Sequence, residues 1–266
     1  MPIIRQSSRP FGGAAGMAAA IAAVLLLMTF WRIIGFVTDW FWYQEVGYET
    51  VFITTYLAQL KTGAFFGFLF FLIFYGNLFI ANRLSQKTFF VIERDHHANP
   101  PAWEIEKTAM HALILSVSIL FSFFAALQGA SEWENYLKFF NLVPFGLPDP
   151  IFGRDAGFYV FRLPLLKSIY TWLTAVIIIT AAATGLLYLL RRSFLFIPPR
   201  TWKISPAAKA HLAALAAFLF LAAAYGAWLE LFDLPFTKRG VVYGAGYTDE
   251  TTQIWVIWAQ ALVCLL

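Results

Sequence analysis

Long apolar stretches alternate with short polar segments along this chain of 266 residues. Phe11–Trp31 runs without one charge, and further stretches lie at about Gly63–Ala81, Thr108–Leu127, Leu165–Leu190 and Ala208–Leu229. Each holds roughly 20 residues, which at about 1.5 Å rise per residue matches a hydrocarbon core about 30 Å thick. In hydrocarbon a chain must satisfy its backbone hydrogen bonds internally, so runs of this kind predict membrane helices. A last stretch, Ile254–Leu266, supplies only about 20 Å of helix and stops without a polar flank. The pattern predicts an all-α, polytopic transmembrane bundle. Five full spans are expected at about 11–34, 63–81, 108–127, 165–190 and 208–229, with a truncated sixth at 254–266. All of 1–266 reads as a single membrane-helix domain.

Composition strengthens that picture. Hydrophobic residues make up 60% and charged residues 13%, against about 25% charged in soluble domains. The 29 Phe would overfill a soluble core, whereas in a membrane they can face lipid tails. The net charge of +4 is small and its basic residues sit between the spans, so they read as topology signals, with no nucleic-acid partner. The lone Cys264 excludes an internal disulfide. The first span has a basic lead, Arg5 and Arg9, as a signal peptide would. Its apolar run exceeds an h-region, however, and its flank, Trp31-Arg32-Ile33-Ile34, is no cleavage site, so it reads as an uncleaved helix.

Loop charge sets the expected orientation. The segment Thr38–Leu60 carries Asp39, Glu45 and Glu49 and no basic residue. The next loop, Asn82–Lys107, carries Arg83, Lys87, Arg94 and Lys107, and Arg191–Ala207 carries Arg191, Arg192, Arg200 and Lys203. Short basic loops stay in the cytoplasm, which puts the N-terminus there and loops one, three and five outside. Trp31, Trp40, Trp42 and Tyr43, then Trp228, Trp255 and Trp258, fall where aromatic belts belong. Arg32 fits an interface residue that snorkels, or a partner for Asp39.

Candidate chemistry is sparse. The chain has no phosphate loop, nucleophile elbow, zinc spacing or dinucleotide fingerprint, and is expected not to be an enzyme. Gly244-Ala245-Gly246 reads as a turn. Polar residues inside the spans (Tyr75, Asn77, Ser116, Ser118, Thr180, Thr184, Tyr188) form no acidic relay of the kind coupled transporters use. His111 and His211 fall near the starts of the third and fifth spans, at similar depth. They are candidate ligands for haem or another tetrapyrrole, set against the plainer reading of interface imidazoles. No cofactor and no metal is otherwise expected. Glu93-Arg94-Asp95-His96-His97, followed by Pro100-Pro101, Glu104 and Glu106, reads as a mixed-charge loop before it reads as a metal site. Gly12–Gly16, Gly63–Gly67 and the alanines of 213–224 suit close helix packing.

The third loop is the most distinctive polar segment. Ser131–Phe140 mixes Trp133, Tyr136, Leu137, Phe139 and Phe140 with charges, which predicts an amphipathic helix on the outer interface. Asn141–Asp155 is rich in Pro and Gly, and Asp149-Pro150 favours a turn. Arg154 beside Asp155 is expected to pin this re-entrant loop. Asp149, Asp155, Glu132 and Glu134 form the alternative, an acidic site.

Three stretches stand out in order between the spans: Thr38–Tyr48 with Val51-Phe52, Phe145-Gly146 through Asp149–Asp155 to Leu163-Pro164, and Val242–Asp249. Together they resemble Uncharacterised Protein Family 0182, a group of large bacterial membrane proteins. The resemblance implies about seven N-terminal membrane helices followed by a large extracytoplasmic domain. It carries over no activity and no catalytic residue. This chain stops within the sixth helix, so that domain is expected to be absent from it.

The expected function is a membrane anchor or scaffold of the bacterial cytoplasmic membrane, multi-pass, presenting an extracytoplasmic surface. Its partners would be the lipid bilayer and other membrane proteins. The candidate residues of that surface are Asp39, Trp40, Trp42, Asp149, Arg154, Asp155 and Tyr159. Two alternatives stand beside it: an accessory subunit of a larger, cofactor-bearing membrane complex, and a transporter or lipid-handling protein.

Overall fold

The structure, a computed structural model, describes residues 11–92, 107–191, 193–197, 201–239 and 242–266. Side chains of some of these, including residues 18–25 and 86–92, lie outside the description. Among the described residues seven α-helices carry the fold: α1 Phe11–Glu45, α2 Glu49–Ile92, α3 Lys107–Ser131, α4 Trp133–Phe140, α5 Leu163–Leu190, α6 Pro206–Glu230 and α7 Ile254–Leu265. π-Helical turns Phe158–Arg162 and Asp249–Gln253 lead into α5 and α7, and a 3-10 turn, Leu231–Phe236, extends α6.

Among the described residues four helical stretches are long and apolar enough to cross a membrane: Glu49–Ser85, Thr108–Ser131, Phe158–Leu190 and Pro206–Phe236. The count of five full spans and a truncated sixth is therefore not supported. The expected first span lies largely where side chains are not described, and α7 has 12 residues, too few to qualify. The helices also outrun their apolar stretches. Thr38–Leu60, expected as a loop, is helix on either side of a three-residue turn. Gly47, with φ 74°, lets Tyr48 N–H donate to Tyr43 and Gly47 N–H to Gln44, closing α1 with a Schellman motif. With no Pro between Glu49 and Ile92, nothing stops α2 at the edge of its apolar block.

The all-α expectation holds for the long elements, but antiparallel strand pairs occur in two connections. β1 Phe194–Ile197 pairs with β2 Thr201–Ile204, and β3 Lys238–Arg239 with β4 Val242–Tyr243. The β-branched and aromatic residues of Phe194–Ile204 favour strands, a signal the charge count of that loop obscured. Ser205 then caps α6, its side chain accepting from Ala208 N–H at 3.2 Å, with Pro206 in the first turn.

The chain forms two compact units, 1–57 and 58–266. In the first, Phe52 is buried against Phe36, Trp40, Tyr43 and Tyr56 at ring distances of 4.4–5.5 Å. In the second, α2 and α3 run antiparallel, with Phe66 meeting Gly129, Phe74 meeting Phe121 and Asn82 meeting His111. α5 lies against α2 and α6, through Phe66–Trp172 and Tyr170–Tyr225. The core holds Phe66, Phe70, Phe74, Leu78, Met110, Ile114, Trp172, Val176 and Tyr188. The opposite faces stay apolar and exposed: Phe65, Phe68 and Leu72 on α2, Ile119, Phe123 and Phe124 on α3. So much exposed apolar surface suits helices bathed in lipid.

Candidate functional site

The third loop folds around its own aspartates. α4 forms where the amphipathic pattern predicts it, with an exposed Glu134–Lys138 pair at 2.7 Å and no buried residue. After it, Gly146 and Gly153 take φ of 71° and 62°, turns that a Cβ would strain. Asp155 Oδ1 accepts from Phe145 N–H at 3.0 Å and Gly157 N–H at 2.7 Å, while Oδ2 accepts from Gly146 N–H at 2.7 Å. Asp149 Oδ2 accepts from Phe152 N–H at 2.6 Å and from the Tyr159 hydroxyl at 3.0 Å. Backbone bonds Asp149 N–H to Arg154 and Ala156 N–H to Leu147 close the same loop. The N–H groups of Phe145 and Gly157 hold the Asp155 carboxyl below its ordinary value of 3.8, since each bond favours the anion.

The expected Arg154–Asp155 pin is not formed. The Arg154 guanidinium lies 5.4 Å from the centre of the Phe158 ring, a cation–π contact, and the carboxylate is taken up by backbone donors. The alternative acidic site does not assemble either. Glu134 pairs with Lys138, Glu132 accepts from Asn135 at 2.9 Å, and the described residues hold no group of three metal-ligating side chains. The metal reading of 93–106 lies outside the described residues.

Aromatic packing seats the loop on the ends of α5 and α6. Phe152 and Phe158 meet Phe232 edge-on at 5.4 and 5.0 Å, and Tyr159 meets Phe236 at 5.5 Å. Lys167 and Asp233 form an ion pair at the same junction. Facing outward, Val143, Phe145 and Leu147 are exposed. The fifth loop is likewise self-bonded: Asp249, 2% exposed, accepts from Gly246 N–H at 2.7 Å, and the Thr237 hydroxyl donates to Leu234 and Gly244 carbonyls. Gly244, with φ 125°, makes the turn expected there.

Asp39, Trp40 and Trp42 stand in the first unit, on α1 and not in a loop. Trp40 packs on Phe52 at 5.2 Å, and Trp42 is exposed beside Tyr43. Arg32 and Asp39 line an open groove of about 1010 Å³ with Leu27, Trp31, Phe36 and Tyr56, without an ion pair between them.

His111 and His211 do not share a partner. His211 Nδ1 meets the Tyr188 hydroxyl at 2.9 Å and Nε2 meets Asn77 Oδ1 at 3.0 Å, so ligation by either nitrogen requires breaking one bond. His111 Nε2 lies 3.5 Å from Asn82 Nδ2, on an exposed face of α3. Asn77, Asn82, Tyr188, Asp233 and Asp249 were not singled out as site residues by sequence. Asn77 and Tyr188 carried a signal, being polar inside apolar runs, but their partner His211 lies on another helix, 134 residues from Asn77 and 23 from Tyr188.

The sequence matches the uncharacterised protein family UPF0182 over residues 16–266. The chain belongs to this family. It is 34% identical over 244 residues to a UPF0182 protein of Cupriavidus necator, a match covering 90% of this chain and 26% of that relative. A UPF0182 protein of Trichodesmium erythraeum is 33% identical over 252 residues, covering 92% of this chain and 26% of the relative. One from Moorella thermoacetica is 33% identical over 255 residues, covering 87% and 26%. The chain thus spans about a quarter of the length of these UPF0182 relatives. No solved structure matches it.

Proposed function

We propose that this UPF0182 chain is a multi-pass anchor and scaffold of the bacterial cytoplasmic membrane, without catalytic activity of its own. In this reading α1 is a further span, α7 begins a sixth, and the N-terminus is cytoplasmic. The third and fifth loops then form an extracytoplasmic surface for a membrane or envelope partner. The observation that carries the reading is the loop 145–157. Asp149 and Asp155 hold it in one shape on the α5–α6 end, with Leu147, Phe145 and Val143 facing outward. A surface organised before its partner arrives loses little entropy on binding, as a scaffold requires.

Thiol labelling tests it. In a Cys264→Ser background, Leu147→Cys is expected to react with a membrane-impermeant maleimide in intact spheroplasts, and Lys209→Cys only after lysis. The reverse pattern would overturn the orientation. A photo-cross-linker at position 147 is expected to give one stoichiometric adduct to a membrane or envelope component. Labelling of position 147 by lipid alone would sink the scaffold role.

The transporter or lipid-handling alternative draws on the Asn77–His211–Tyr188 chain inside the spans, because an ionisable side chain there, half-buried His211, is a functional candidate by default. The accessory-subunit alternative predicts a visible absorption band from a tetrapyrrole in protein purified from its native membrane, and a colourless preparation counts against it.

A further inference from the structure

At the bundle end away from the third loop, the described cations Arg83 and Arg191 stand beside a cavity of about 220 Å³, lined by Phe79, Asn82, Arg83 and His111. We infer that this cavity binds the phosphate of an anionic phospholipid headgroup. Three features argue for it.

The first is the donor set. Arg83, exposed at the mouth, brings a guanidinium, the side chain best shaped for a phosphate. Asn82 is 1% exposed, and its Oδ1 accepts from Arg191 Nη2 at 2.7 Å. That bond turns the amide so that its NH2 group faces His111, at 3.5 Å. The described lining therefore presents the Arg83 guanidinium beside the Asn82–His111 pair and carries no carboxylate. Arg191 stands behind Asn82, its guanidinium on the amide oxygen.

The second is depth. Arg83 lies in the last turn of the apolar stretch that ends at Ser85, and His111 in the first turn of the one that begins at Thr108. Arg191 directly follows the last residue of α5. All three helices reach this level together, where hydrocarbon would give way to headgroups. Basic pockets between membrane helices at that level suit anionic lipid.

The third is the path for the acyl chains. Phe79, which lines the cavity, and Ile80 on α2 and Leu115 on α3 are exposed apolar residues within about one turn of Arg83 and His111, on the side toward the middle of the spans. A free phosphate ion has no use for that surface, whereas a lipid does.

Native mass spectrometry of the full chain, released from detergent with defined lipids, tests the inference. Phosphatidylglycerol is expected to be retained in preference to phosphatidylcholine. Arg83→Gln should weaken that retention about tenfold, the loss of one charge-assisted hydrogen bond. Arg83→Lys should recover part of it, and Lys138→Gln, on α4, should change nothing. Because Arg83 is exposed, its variants are expected to melt like the parent, which separates lost binding from lost folding. Equal retention of both lipids, or unchanged phosphatidylglycerol retention by Arg83→Gln, would overturn the inference. Saturable binding of inorganic phosphate that phosphatidylglycerol does not compete would overturn the lipid as the source.

Discussion

The seam between α2 and α3 and the third loop are held together by opposite means. At the seam, side chains are withheld. A Cβ on Gly67 would lie 2.6 Å from Ala126 Cβ and 3.1 Å from Ser122 O, and one on Gly129 would meet Phe66 at 2.6 Å. Each helix already satisfies its own backbone, so only close contact is left to hold the pair. In the loop, side chains are supplied. Its N–H groups have no helix to pair them, and Asp149 and Asp155 accept from four of them. Shape suffices where the backbone is regular, and local acceptors are needed where it is not.

The largest effect is expected at the seam. Gly67→Leu should destabilise by about 3 kcal/mol or unfold the pair, because the obstructing atoms are partly backbone. Gly76→Leu, on the same helix but with nothing within 4 Å, should leave thermal unfolding in detergent nearly unchanged. Similar losses from both would break the contrast. Next comes Asp155→Ala, which strips the acceptor from three N–H groups. Limited proteolysis should then cut within 141–157 while the helices remain protected, and a global loss of helix by circular dichroism would show that the loop is not a separate unit.

Acid should do the same more gently. The folded carboxyl of Asp155 titrates below 3.8, so its contribution is complete above that value and disappears as pH falls through the lower folded value. Proteolysis of the loop should therefore accelerate only below about pH 4, and Asp155→Asn should remove the acid dependence. The smallest change is Tyr159→Phe, which deletes one hydrogen bond to Asp149 and should cost about 1 kcal/mol. A loss as large as that of Gly67→Leu would mean that the loop, and not the seam, dominates stability.

Much of the fold was legible because lipid imposes a length. The stretches near 63–81, 108–127, 165–190 and 208–229 each fall inside one observed helix, and the amphipathic reading of 131–140 fell on α4. What the blocks did not reveal was where the helices stop. Apolar content ends at the edge of the hydrocarbon, but a helix continues until a Gly, a Pro or a cap ends it, as Gly47 does for α1. At the candidate site Asp149 and Asp155 were legible from Pro and Gly around them. The role of Arg154 was not, since adjacency to Asp155 suggested an ion pair and the fold turned the guanidinium onto Phe158.

By itself the sequence determined the helical class, the amphipathic α4, the family and the loops rich in turn formers. These follow from hydrophobic length, local propensity and short-range hydrogen bonds, all of which act between near neighbours. Only the tertiary structure decided that His211 meets Asn77 and Tyr188, that Arg191 reaches Asn82, and that Phe152 rests on Phe232. The partners in those pairs lie on different elements, from 23 to 134 residues apart in sequence. They exist only once these elements pack on one another, because a contact between distant elements depends on their relative placement, which local propensity does not encode.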